Sequence, residues 1–250
     1  MTIPFRIDSA ELLALEPGAI AVPGGNLYRQ RFYGTCDRGR SLDLRLLSRE
    51  ALSAPAPMLE SEGIEAVLAR IAAGHRYPDA LVLLVNPEAA LGPQHMVHAQ
   101  GCGLVAIDGP ERLACWDEAL AKGLPIYGLR DYLHLELNRP QPSAVLAALA
   151  FGNFSCRRGL DQVVITEDRF GVSWQDPEHR QLSVSAVLRQ GFEAPLGAAA
   201  EGRWQDSGHE GVVRLYLCHD AGEIWTQPRF IMPQPGGSAP PSAPGLGPLA

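Results

Sequence analysis

From residue 64 to residue 151, short apolar runs alternate with segments of helical spacing, and no other feature narrows the possible folds as much. Residues 81–85 and 103–107 are continuous apolar runs of strand length, and residues 125–129 follow as a third. The first ends at Asn86-Pro87, as a strand buried on both faces does. Residues 64–73 place Ile64, Val67, Leu68 and Ile71 on one face of a helix. Residues 111–122 read as a second helix that Gly123 can stop, and residues 143–151 as a third with Ser143 as its N-cap. Strands alternating with helices predict βα units and parallel strands. A shorter apolar run at 19–23 precedes them.

The pattern changes after Gly159. Residues 162–166, 171–174, 181–188, 212–218 and 223–225 are short β-rich runs, separated by turn residues such as Asp168, Asp176-Pro177 and Asp220-Ala221-Gly222. Val213, Leu215 and Leu217 alternate with Arg214, Tyr216 and Cys218, which predicts an antiparallel strand with one packed face. Residues 234–250 are Pro, Gly, Ser, Ala, Leu and Gln without charge, a composition that predicts disorder. Three parts result: an α/β domain at 1–158, a β-rich appendage at 159–233 and a tail at 234–250. No internal repeat is present.

With 250 residues, the chain is long enough for one large domain or two modest ones. A formal charge of −7 argues against nucleic acid or an acidic membrane as the main partner. No run approaches the ~20 apolar residues of a membrane-spanning helix, and residues 1–9 lack the basic and apolar regions of a secretion signal. Lys122 is the single lysine, a bias better explained by GC-rich coding than by function. Cys36, Cys102, Cys115, Cys156 and Cys218 form no CxxC pair, so reduced, buried thiols and a cytoplasmic location are expected.

No phosphate-binding GxxxxGK[ST] loop, GxGxxG fingerprint or GxSxG elbow occurs. His95 and His98 are three residues apart, as are Asp131 and His134, and the pairs follow the apolar runs at 81–85 and 125–129. α/β folds place ligands beyond the ends of such strands. Imidazole with carboxylate suits zinc, manganese or iron, although a metal site needs at least three converging ligands. The competing reading makes these four residues hydrogen-bonded loop side chains. His75, His179, His209 and His219 lie beside turn signals and read as surface residues. Glu60, Glu62, Glu65, Asp117 and Glu118 suit helix dipoles, Trp116 and Tyr127 suit packing, and Arg157-Arg158 suits a helix C-terminus or an anion.

Several segments together resemble the polymerase and histidinol phosphatase (PHP) superfamily, metal-dependent phosphoesterases on a distorted (βα)7 barrel. Residues 80–88, with Val85-Asn86-Pro87-Glu88, resemble the family strand that ends in His-Pro. Trp116-Asp117 through Gly123 to Gly128 is similar to its W-D-x-L-x-x-G-x-x-v-x-G segment, and Asp131-Tyr132-Leu133-His134 to its terminal Asp-x-His. Ala147-Ala148-Leu149 with Gly152-Asn153-Phe154-Ser155 resembles the closing segment, and Glu223-Ile224-Trp225-Thr226-Gln227-Pro228 the β-appendage of one branch. At the start, either Ala21-Val22-Pro23-Gly24-Gly25-Asn26 or Gly25-Asn26-Leu27-Tyr28-Arg29-Gln30 aligns with the family's opening motifs.

The resemblance implies a distorted (βα)7-type PHP-like barrel followed by a small antiparallel β-module. It also implies a damaged metal site. Asn86 stands in place of a histidine and Tyr132 in place of an aspartate, while His134 alone matches a ligand position. Neutral amides and a phenol hold a divalent cation weakly, and without the cation nothing lowers the pKa of an attacking water. Three readings follow. The chain is a pseudoenzyme serving as a binding or assembly component with a protein partner and no cofactor. Alternatively, it is a phosphoesterase or other hydrolase with a mononuclear zinc, manganese or iron site rebuilt from His95, His98, Asp131 and His134. The third is a small-molecule or anion receptor using Asn86 and Arg130.

Overall fold

A computed structural model describes residues 2–36, 39–52, 57–75, 77–139, 141–188, 191–207 and 211–231. His209 and the tail at 234–250 lie outside the described residues. The chain forms two compact units, Met1–Ser155 and Cys156–Ala250.

In the first unit, β1 (Ile3–Asp8) leads into α1 (Ser9–Leu13), and the Asp8 carboxylate caps the helix by accepting from the Ala10 N–H at 2.9 Å. β2 (Gly18–Val22) and β3 (Gly25–Thr35) form a hairpin about Pro23-Gly24, and β4 (Ser41–Ser48) returns antiparallel beside β3. Then come α2 (Ile64–Gly74), β5 (Ala80–Leu84), α3 (Pro87–Ala90), a 3₁₀ helix (Pro93–Ala99), β6 (Leu104–Ala106), α4 (Pro110–Ala121), β7 (Tyr127–Leu129), β8 (Tyr132–Leu137) and α5 (Pro142–Phe151). One six-stranded sheet runs β2-β3-β4-β5-β6-β7. Its first four strands are antiparallel neighbours, and β5, β6 and β7 are parallel. β1 pairs antiparallel with β8.

This is not a (βα)7 barrel, and the resemblance to the PHP superfamily does not hold. Strand accounts for 44% of the structure and helix for 24%, in several largely antiparallel sheets. β2 and β7 end the six-stranded sheet, so its path does not close. The physical reason lies in residues 18–48. The tight turn at Pro23-Gly24 returns the chain at once beside β2, and such a hairpin pairs neighbours antiparallel. A parallel βα unit needs a longer crossover there.

The apolar runs near 81–85, 103–107 and 125–129 are β5, β6 and β7. β5 is buried at every position, which explains its unbroken apolar composition. α2 buries Ile64, Val67, Leu68 and Ile71, and α4 buries Cys115, Trp116, Ala119 and Leu120. The N-cap of α5 is Gln141 rather than Ser143, because Pro142 occupies the first helical turn, where its missing N–H costs nothing. Gly152 closes α5 in the left-handed region at φ 69°, and a Cβ there would lie 2.3 Å from the Tyr127 ring.

The boundary between units falls inside β9 (Phe154–Arg158). The second unit continues with β10 (Val164–Asp168), β11 (Gly171–Gln175), β12 (Leu182–Val187), β13 (Glu193–Ala199), β14 (Glu201–Gln205), β15 (Val212–His219), β16 (Gly222–Thr226) and β17 (Arg229–Phe230). One sheet has the order β9-β16-β15-β12-β13, a second β10-β11-β14, and β17 pairs with β15. Val184, Leu215 and Leu217 pack with Val172, Trp174 and Trp204 in one core cluster. Arg157 is buried and donates to the carbonyls of Asp161 and Val163 at 3.2 and 2.6 Å, so it braces a turn.

Asp176 is 1% exposed and accepts from the Glu178 and Arg180 N–H groups and from the Arg180 guanidinium at 2.7 Å. The guanidinium hydrogen bond, above all, lowers its carboxyl to about 2. A carboxyl depressed in the folded state stabilises above its unfolded pKa and loses that contribution as pH falls through the folded one. Unfolding of wild type and Asp176→Asn should therefore differ by about 2 kcal/mol at pH 7. The two should converge between about pH 4 and pH 2, measured by urea titration at each pH.

Among the described residues, no helix is long and apolar enough to cross a membrane.

Candidate functional site

Where the first unit's parallel strands begin, α2, the end of the 3₁₀ helix and the loops leading into β6 and β7 leave a groove of about 910 Å³. That volume lies within the range of ligand-binding clefts. Small residues make the hollow: Ala69 and Ala72 on α2, Ala80 opening β5, Ala99 ending the 3₁₀ helix, and Gly101 and Gly103 ahead of β6. A Cβ at Gly101 or Gly103 would come within 2.3 Å of Ala72 Cβ or Leu81 Cδ1, so the packing admits only glycine there. Leu81, Val82, Leu124 and Pro125 complete an apolar lining.

One side carries two aromatic rings. Tyr77 and Phe151 meet edge to face with centroids 5.1 Å apart and planes at 72°. They are 41% and 57% exposed, and Val97 in the same lining is 45% exposed. Tyr77, Phe151 and Val97 thus leave apolar side chains open to solvent beside the concavity.

The groove is nearly free of charge. Lys122 is its single Lys, Arg, Asp or Glu among the described residues, and its Nζ lies 3.1 Å from Glu118 Oε1. His75 Nδ1 sits 3.1 Å from the Ile71 carbonyl oxygen. Burial pushes the Cys102 thiol up to about 12, so it stays protonated and serves as apolar wall rather than nucleophile. Behind the wall, Trp116 Nε1 donates to the Ile126 carbonyl at 2.9 Å and fixes the loop between α4 and β7.

The residues singled out from sequence lie elsewhere. His95 and His98 share the 3₁₀ helix, with rings stacked 6.3 Å apart, and His98 Nε2 is 4.0 Å from Glu65 Oε1. His95 Nδ1 faces the Leu91 carbonyl at 3.3 Å. Asp131 precedes β8 at φ 47°, pairs with Arg130 at 2.9 Å, and its carbonyl accepts from the Ser9 N–H. His134 lies on β8 opposite Arg6 of β1. The fold thus joins His95 to His98 and Arg130 to Asp131. Among the described residues, no three His, Cys, Asp or Glu side chains are placed to hold a metal ion. Asn86 is committed to the sheet: its Oδ1 accepts from the Asp43 N–H at 2.8 Å and its Nδ2 donates to the Ser41 carbonyl at 3.2 Å.

A smaller hollow of about 420 Å³ in the second unit is lined by Arg158, Tyr216, Cys218 and Glu223. Tyr216 donates to Glu223 at 3.0 Å and Arg158 pairs with the same carboxylate at 3.2 Å. Burial first, and then Glu223, push the tyrosine's pKa up. These groups satisfy one another.

Sequence reading missed the groove because Tyr77, Val97 and Phe151 are far apart along the chain and its floor consists of alanine and glycine. The available signal was Phe151, an aromatic residue at the last position of a helix. No protein-family model, curated protein or solved structure matches the chain.

Proposed function

We propose that the protein is a binding component, and that the groove of the first unit receives an apolar segment of a protein partner. The observation that carries this reading is the coincidence of a hollow of about 910 Å³ with an exposed aromatic pair and, among the described residues, a single cation that pairs with Glu118. Burying Tyr77, Val97 and Phe151 against a partner removes apolar surface from water at roughly 25 cal/mol per Å², and central aromatic anchors of this kind dominate interface energetics. All five cysteines are free and four are buried, which supports a reducing compartment, the cytoplasm.

An environment-sensitive dye tests whether the groove is available. The native full chain should bind 8-anilinonaphthalene-1-sulfonate saturably, with the affinity lowered at least about tenfold in Phe151→Ala. Ala69 is exposed on α2, so Ala69→Glu should block the groove while shifting stability by no more than about 0.5 kcal/mol. Dye binding that neither substitution changes would contradict the reading.

A further inference from the structure

We draw no further inference here: the strongest candidate, the hollow of about 420 Å³ in the second unit, holds one half-buried thiol, Cys218, beside Tyr216, Glu223 and Arg158, which already bond one another, and nothing among the described residues points to a ligand there.

Discussion

Replacing Asp43 by alanine should lower the stability of the full chain by about 4 kcal/mol in urea unfolding at neutral pH. Asp43 lies on β4 between Arg31 and Arg45. The Arg45 side chain is 1% exposed, forms an ion pair with Asp43, and donates to the Leu13 and Ala14 carbonyls at the end of α1. Removing the carboxylate leaves a buried guanidinium without its counter-charge, which is far more costly than losing the attraction alone. Arg31 is partly exposed, so Arg31→Ala should cost no more than about 1 kcal/mol. The double substitution Asp43→Leu with Arg45→Met should be milder than Asp43→Ala, because it removes both charges and fills the space. Equal losses for Arg31→Ala and Asp43→Ala would contradict this account of the pair.

Trp116→Ala should cost about 3–5 kcal/mol and also weaken the groove. The indole is fully buried on α4, and its Nε1 holds the Ile126 carbonyl. Truncation opens a cavity and leaves that buried carbonyl without its donor, two penalties that add. The loop it braces carries Leu124 and Pro125 of the groove lining. Dye affinity should therefore fall even under conditions where the variant remains folded by circular dichroism. Trp116→Phe keeps most of the volume and loses the hydrogen bond, so it should lie between alanine and wild type in stability. A Trp116→Ala protein as stable as wild type would show that α4 does not brace this loop.

Local elements were legible in the sequence where burial imposes a pattern. The unbroken apolar run of β5 and the spacing of Ile64, Val67, Leu68 and Ile71 on α2 each follow from the surfaces they bury. β4 was hidden because Asp43 and Arg45 interrupt its apolar residues, and their burial is made tolerable by their mutual ion pair together with Arg31 on Asp43 and the Leu13 and Ala14 carbonyls on Arg45. The resemblance to a barrel family misled because motifs such as Trp116-Asp117 describe a helix and the strand after it, whereas strand order and direction depend on partners distant in sequence. β4 joins the antiparallel β3 to β5, and nothing in residues 80–129 reveals that.

The site was illegible for a related reason. His95, His98, Asp131 and His134 follow the C-terminal ends of apolar runs, where α/β folds hold ligands. The groove lies at the opposite ends of β5, β6 and β7, where Ala80, Gly103 and Pro125 stand. Its character comes from absent bulk and from two aromatic residues, and neither has a spacing that a sequence displays.

The most direct test of partner binding in the groove places a photo-crosslinking phenylalanine derivative at position 151 of the full chain, in the cells that make it. The control carries the same group at position 33, another exposed aromatic site of the first unit. The account predicts a discrete crosslinked adduct from position 151 that Ala69→Glu abolishes, and none from position 33. Identical adducts from both positions, or an adduct from position 151 that survives Ala69→Glu, would contradict it.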